Sequence, residues 1–600
     1  MGLITRIKND VIFATAAIRT LKRLGAVYKN PERTYADVIE DQARDIPDNI
    51  AIYFEDVTYS YRDYDAQANR YARWALAQGI GKGHVVALLM ENRPEYLFAW
   101  LGILKTGAAA ALINTNQTKG PLAHSLGISG ADHLILGAEL AENFASIDAN
   151  GFDRPLKVWS TGGHVNGAQD LDADLAGQPD EPLPAGLRKG VTIEDNALFI
   201  YTSGTTGNPK AAKLPHARVL GIMGAFSAGA NATARDRMYC VLPLYHSAGG
   251  ICAVGTTLTV GGSVIIRRKF STTEFWNDVN KYGATLFQYI GELCRYLLNS
   301  PPHPFETNHS LRLAVGNGLR PEIWPAFQKR FNIPRMLEFY GATEGNVALM
   351  NFDGKVGAVG RVPSWARSRF NVELVRFDVD TEQPVRGPDG FCIRCEPGEA
   401  GEALGKITVD PNMPTGRFDG YAKKEETEKK ILRNAFEKGD AWFRTGDLLK
   451  QDKLGYFYFV DRVGDTFRWK GENVSTNEVS EAITVFPGVK EANVYGVHVP
   501  GQDGRAGMVA IVADKNFSVE NLGPHLQHEL PEYAKPLFLR LQPELEITGT
   551  FKQRKVDLVS DGFNPTIVKD PLYFNMPGQN HFVPLDETLY NQIISGEIRL

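Results

Sequence analysis

Hydroxyl-bearing residues and glycines crowd together in Tyr201-Thr202-Ser203-Gly204-Thr205-Thr206-Gly207-Asn208-Pro209-Lys210, directly after the apolar run Ala197 to Ile200. In such a tract backbone N–H and side-chain O–H groups can converge on one anion, and Lys210 adds a positive charge. The chemistry it suits is the cradling of a polyphosphate. The spacing is not the G-x-x-x-x-G-K-[ST] of a P-loop, and no G-x-G-x-x-G follows a strand in a dinucleotide-binding context. Further polar motifs punctuate the chain: Pro243-Leu244-Tyr245-His246, the turn Gly316-Asn317-Gly318, Tyr340-Gly341-Ala342-Thr343-Glu344-Gly345, Arg444-Thr445-Gly446-Asp447, Asp461-Arg462-Val463-Gly464-Asp465, and Thr548-Gly549-Thr550-Phe551-Lys552.

These groups need a scaffold, and the hydrophobic periodicity supplies one. From about Thr34 to Gly190 helical patterns such as Asp63 to Gln78 alternate with short apolar strands such as His84 to Leu89 and His133 to Leu136. The alternation continues through Phe199, Val264 to Ile266, Thr285 to Tyr289 and Arg312 to Val315. That is the pattern of α/β layers with a mainly parallel sheet. Phe370 to Val409 reads as β-rich, and after Asp465 a smaller helix-and-strand unit begins. The expected fold is α/β: a large N-terminal domain of layered α/β subdomains plus a β-rich subdomain, and a smaller, mobile α+β C-terminal domain. Its expected divisions are a segment 1–29, a domain 30–464 and a domain 465–600.

The 600 residues carry 65 Lys+Arg against 70 Asp+Glu and are 43% hydrophobic, which excludes whole-chain disorder and argues against a nucleic-acid-coating protein. Cys240, Cys252, Cys294, Cys392 and Cys395 are too few and too irregular for a disulfide framework, so a reducing compartment is expected. The C-x-x-C pair Cys392 and Cys395 lacks the second ligand pair of a zinc site. No secretory signal or myristoylation pattern opens the chain. Met238 to Ile266 is uncharged but broken by Pro243 and several glycines, and reads as buried strand, loop, helix and strand rather than a membrane span. Ile4, Ile7, Val11, Ala14, Ile18 and Leu21 recur on one helical face. Around them Arg6, Lys8, Arg19, Lys22, Arg23 and Lys29 oppose only Asp10. Such a helix either lies on an anionic membrane or docks on the protein's own body.

The motifs, in this order, resemble the adenylate-forming (AMP-binding) enzymes, a likeness running from about Thr34 to Asn564. The resemblance implies attack of a carboxylate on the α-phosphate of ATP, with loss of pyrophosphate. It assigns Thr202, Ser203, Gly204, Thr205, Thr206, Gly207 and Lys210 to the phosphates, Thr343 to the α-phosphate and Glu344 to Mg²⁺. Tyr340 and Gly341, with the Gly316-Asn317-Gly318 turn, would receive the adenine. Asp447 would hold the ribose, with Arg462 on the ribose or a phosphate, and His246 would lie beside the carboxylate. Lys552 would be the catalytic lysine of adenylation, Asp465 the hinge, and Lys470 and Gly471 the lining of a coenzyme A channel.

Within this superfamily, Asp465 to Ser475, Ile547 to Lys552 and Asp570-Pro571-Leu572-Tyr573-Phe574 resemble the fatty acid transport protein and very long-chain acyl-CoA synthetase branch. The implied activity is long-chain or very long-chain fatty acyl-CoA synthesis from ATP, Mg²⁺ and coenzyme A, coupled to fatty acid uptake. The alternatives are a membrane-associated transporter whose synthetase activity is secondary, or an adenylating enzyme for another carboxylic acid. The expected setting is cytoplasmic, peripheral on a membrane, with fatty acid, ATP, coenzyme A and an anionic membrane surface as partners and no nucleic acid.

Overall fold

The computed structural model describes residues 2–600 except 149–151, 153, 185, 203–208, 409–415, 471, 503, 546–554, 580 and 599. The chain forms two compact units, residues 1–371 with 406–432, and residues 372–405 with 433–600.

Two sheets build the first unit. In chain order their strands are β1 (Ile50–Phe54), β2 (Val57–Ser60), β3 (Val85–Leu89), β4 (Ala109–Leu112), β5 (His133–Gly137), β6 (Lys157–Thr161), β7 (Gln169–Asp170), β8 (Asn196–Thr202), β9 (Lys210–Pro215), β10 (Arg237–Cys240), β11 (Ser263–Ile266), β12 (Leu286–Ile290), β13 (Leu313–Asn317), β14 (Met336–Gly341) and β15 (Ala348–Asn351). One sheet runs β7-β6-β5-β3-β4-β8-β9 and the other β15-β14-β13-β12-β10-β11-β1-β2. Each is parallel through its middle, and antiparallel pairs close three of the four edges, β8 with β9, β14 with β15, and β1 with β2, while β6 and β7 pair parallel at the fourth. Strands buried on both faces read as continuous apolar runs, which is why Val85–Leu89 and Leu286–Ile290 were legible. The helix expected over Asp63 to Gln78 spans Tyr61–Ala77, and Ser60 and Asp63 start it with a reciprocal capping box. Trp74, Trp100 and Trp159 fill the core around it. The uncharged stretch from Met238 resolves into strand β10, a π-helical run Ser247–Ala253, the helix Val254–Leu258 and strand β11, almost entirely buried.

Helix α1 (Leu3–Lys29) packs on the helix His216–Gly229 through Leu24 and its neighbours. Among the described residues, no helix is long and apolar enough to cross a membrane.

In the second unit, strands Val372–Val375 and Ala400–Lys406 pair antiparallel, as do Ala441–Gln451 and Tyr456–Arg462. A hairpin of Phe467–Trp469 with Glu472–Val474 follows. A five-stranded sheet comes next, in the order Val489–Val497, Ala506–Ala513, Phe538–Gln542, Leu572–Asn575 and Phe582–Pro584.

Candidate active site

Strands β8 and β9 form a hairpin whose last ladder pair is Thr202 opposite Lys210, so both flank the hydroxyl- and glycine-rich tract between them. Ser203 to Gly207 lie outside the described residues. A distant segment pairs with this hairpin. Gly420 accepts a hydrogen bond from Lys213 N–H at 3.1 Å, Ala422 donates to Ala211 at 2.9 Å, and Tyr421 bridges to Ala212.

Tyr421 thereby becomes the centre of the site. Its hydroxyl donates to Glu344 Oε1 at 2.7 Å, and Thr202 lies beside it. Lys210 Nζ lies 5.7 Å from its ring centroid and forms an ion pair with Glu426. Burial, then the Glu344 charge, holds the Tyr421 hydroxyl well above the usual phenol range, so it is a hydrogen-bond donor and not an acid. Hydrogen bonds from Lys210 and Lys429 hold Glu426 down at about 2. The structure thus gathers Thr202, Lys210 and Glu344 around one phenol.

Arg218, on the helix His216–Gly229, holds the loop that carries Thr343 and Glu344. Its guanidinium donates to the carbonyls of Thr343 at 2.9 Å, Ala342 at 3.3 Å and Gly345. Burial lowers its pKa, but the guanidinium stays charged. Thr343 Oγ1 is 2.9 Å from Ser247 Oγ, and this ties the loop to the start of the π-helical run. His246 caps that run, its Nδ1 accepting from Ala248 N–H at 3.3 Å.

The turn Gly316-Asn317-Gly318 ends β13, adjacent in the sheet to β14, which carries Tyr340 and Gly341. Glycine is required here twice over. Gly318 has φ +77°, and a Cβ on Gly316 would fall 2.3 Å from the Tyr289 carbonyl oxygen. Buried Glu338 pins the turn: its carboxyl accepts from Leu319 N–H at 3.0 Å, from Gly318 N–H and from the Tyr289 hydroxyl. Burial raises it to about 8, so it is mainly protonated at neutral pH.

The second unit holds Asp447, Arg462, Asp465 and Lys470. Asp447 and Arg462 are register partners across their strands, with Arg462 Nε 3.7 Å from Asp447 Oδ1. Arg444 does structural work beside them, its Nε and Nη2 on Glu402 at 3.1 and 2.9 Å. Asp461 pins the helix Thr476–Thr484 by accepting from Thr476 N–H at 2.6 Å and from Thr466 Oγ1 at 3.1 Å. Asp465 is paired with Lys555 at 3.1 Å, and Lys555 also donates to Thr476 Oγ1 at 2.9 Å. Lys470 turns the hairpin with φ +52°, its ammonium 6.0 Å from the Trp469 ring. Gly471 and Lys552 lie outside the described residues.

Sequence reasoning missed Tyr421, Glu426, Arg218 and Glu338. Arg218 and Glu338 carry a local signal, a lone charge in an apolar helix and in an apolar strand. Tyr421 and Glu426 carry none, because their placement depends on pairing with β9 some two hundred residues earlier.

The AMP-binding enzyme family model matches residues 39–405, and the AMP-binding enzyme C-terminal domain model matches residues 478–552. The chain belongs to the AMP-binding enzymes. It is 42% identical to long-chain fatty acid transport protein 2 of Rattus norvegicus over 581 residues, 95% of this chain and 92% of the relative. It is likewise 42% identical to long-chain fatty acid transport protein 1 of Mus musculus, over 94% of this chain and 88% of the relative. Within the AMP-binding enzymes, it therefore belongs to the family of long-chain fatty acid transport proteins. The same fold occurs in the anthranilate CoA ligase AuaEII bound to anthranoyl-AMP, with a TM-score of 0.73 at 21% identity over 87% of this chain and 96% of that one.

Proposed function

We propose that the protein is a long-chain or very long-chain fatty acid–CoA ligase that forms AMP. A fatty acid carboxylate oxygen bonds to the α-phosphorus of ATP as the bond to pyrophosphate breaks. The coenzyme A thiolate then bonds to the acyl carbon and AMP leaves. The observation that carries this reading is the gathering of Thr202, Lys210 and Glu344 about Tyr421 beside the hairpin of β8 and β9. A cation beside hydroxyl donors offsets the charge that builds on phosphate oxygens in the transition state.

The donor chemistry fits Mg²⁺, which takes one or two carboxylates and completes its shell with water and substrate phosphates. Glu344 would hold the ion, with Oε1 oriented by Tyr421. When bound, the ion would neutralise phosphate charge. Lys210 exchanges Glu426 for a phosphate, and Glu426 keeps Lys429 at 2.7 Å as its counterion. Thr343 hydrogen-bonds to the α-phosphate, held in place by Ser247 and by Arg218. The Gly316-Asn317-Gly318 turn and Tyr340 receive the adenine, Asp447 and Arg462 the ribose, and His246 lies beside the fatty acid carboxylate.

Lys552 stabilises the adenylation transition state, and Lys470 and Gly471 admit the pantetheine arm in the second step, with Asp465 the pivot between two arrangements of the 465–600 domain. The division of labour between nearby lysines is supported by Lys555, whose ammonium is already committed to Asp465 and Thr476. Single-turnover kinetics of each half-reaction tests the scheme. Lys552→Ala slows acyl-AMP formation by about 10² to 10³ and spares thioester formation from supplied acyl-AMP. Gly471→Leu does the reverse. Equal losses in both half-reactions for Lys552→Ala contradict the scheme.

The protein works in the cytoplasm as a peripheral protein on an anionic membrane surface. The support is α1, with Ile4, Ile7, Val11, Ile18 and Leu21 all exposed on a basic helix.

A further inference from the structure

Helix α1 is apolar on two opposite sides. Phe13, Ala16 and Leu24 are buried against the body, with Phe13 5.8 Å from both Phe352 and Trp365. At about 100° per residue, Ile4, Ile7, Val11, Ile18 and Leu21 fall on the far side. They are 54 to 84% exposed, and Trp365 is 56% exposed. Docking on the protein's own body therefore uses one stripe and leaves the other exposed among the described residues.

Val11 also forms the lip of a cleft of ≈ 510 Å³ that α1 makes with the residues opening β14. Its lining combines Val11, Ile12, Met336 and Phe352 with Arg19, Arg335 and one acid, Asp353. Arg335 forms no ion pair among the described residues. Burial, then the nearby Arg312 and Arg19 charges, lowers its pKa, the signature of cations crowded without a counterion. Arg19 is held by its Nε on the Ala228 carbonyl at 3.1 Å and forms no ion pair among the described residues. Asp353, within the lining, is 3.9 Å from Arg361, and the acids around the cleft are engaged, Asp10 with Arg361 at 2.6 Å and Asp236 with Arg312 at 2.8 Å.

We propose that this cleft seats the phosphate of an anionic phospholipid headgroup while the exposed stripe of α1 lies at the boundary of headgroups and acyl chains. The inference rests on the membrane reading above and adds a specific site to it. Two guanidinium groups can each fork onto phosphate oxygens. The apolar wall, continuous through Val11 with the exposed stripe, favours a lipid over a free anion, because only a lipid brings hydrocarbon to cover it.

The test is flotation of the full-length protein with phosphatidylcholine vesicles, with and without phosphatidic acid. Arg335→Gln and Arg19→Gln are compared with Lys22→Gln, which removes the same charge from the exposed side outside the cleft. Neither arginine belongs to the active site, so ligase activity stays unchanged, and the melting temperature of each variant is recorded to show that it is folded. The cleft variants weaken binding to phosphatidic acid vesicles about tenfold or more, and Lys22→Gln weakens it about fivefold or less. Ile18→Asp weakens binding to both vesicle types. If Arg335→Gln and Lys22→Gln lose affinity equally, the headgroup site is overturned and the membrane reading stands. If the unaltered protein ignores both vesicle types at low salt, the membrane reading itself fails. If millimolar inorganic phosphate erases the difference between the cleft variants and the unaltered protein, the cleft is a free-anion site and the lipid assignment is overturned.

Discussion

Two lysine clusters in the first unit each pair an ammonium with carboxylate and have opposite character. Lys105 is wholly buried, and its ammonium donates to Asp65 at 2.6 Å, Asn69 at 2.7 Å and Glu40 at 2.9 Å. All three of its protons are spent, and Arg188 closes the cluster from the Glu40 side at 2.6 Å. Lys210 has one acid, Glu426, and an aromatic face, and its side chain keeps 19% exposure. The difference separates a lysine that holds a fold from one that can receive a ligand. Saturation with fixed acceptors removes any affinity for a phosphate, whereas a lysine sharing its acid with a second cation can exchange it at little cost.

The contrast breaks most sharply at Lys105. Lys105→Ala strands Asp65 and part of Glu40 in the interior, and the expected loss is about 3–5 kcal/mol of stability. Denaturant melts check this, and the fraction that remains folded turns over at the normal rate. Glu344→Ala has the converse profile. The melt barely moves, because the residue lies in a loop with one side-chain partner, while pyrophosphate release falls about 10² to 10³-fold. Near-normal release at low Mg²⁺ contradicts the assignment of the metal to Glu344. Lys210→Gln lowers kcat/KM for ATP about 10- to 100-fold, with a stability change under about 1 kcal/mol. A loss of stability as large as that of Lys105→Ala would erase the distinction between the clusters.

The smallest effect is in pH. Glu426 is held at about 2, below its ordinary 4.5, so its pairing contributes stability in full above about pH 4.5 and loses it as pH falls toward 2. Solvent screens the pair, so the contribution is below about 1 kcal/mol. Comparison of acid melts for the unaltered protein and Glu426→Gln checks both sign and size.

The parts of the site legible in the sequence are those in which chemistry is local. Thr202 to Lys210 and Tyr340 to Glu344 announce themselves by composition over a few residues. The turn at Gly316 follows an apolar strand whose run is equally plain. The parts that were not legible depend on tertiary pairing. Tyr421 reaches Glu344 because the segment around Gly420 pairs with β9, and no periodicity encodes that. The second unit is discontinuous for the same reason: residues 372–405 pack with 433–600 while 406–432 join the first unit. Helix α1 shows a subtler limit. Its pattern displayed the stripe from Ile4 to Leu21, yet Phe13, Ala16 and Leu24 are the residues that dock, because a helix with two apolar faces does not declare which one the body will cover.

The most direct test of the central claim incubates the purified full-length protein with ATP, Mg²⁺, coenzyme A and a panel of carboxylic acids of increasing chain length. Pyrophosphate release is recorded and the products are identified by mass. The expected release depends on a long-chain or very long-chain fatty acid, with the matching acyl-CoA and AMP as products. Pyrophosphate release with no long-chain acid, or acyl-AMP that never passes to coenzyme A, would contradict it.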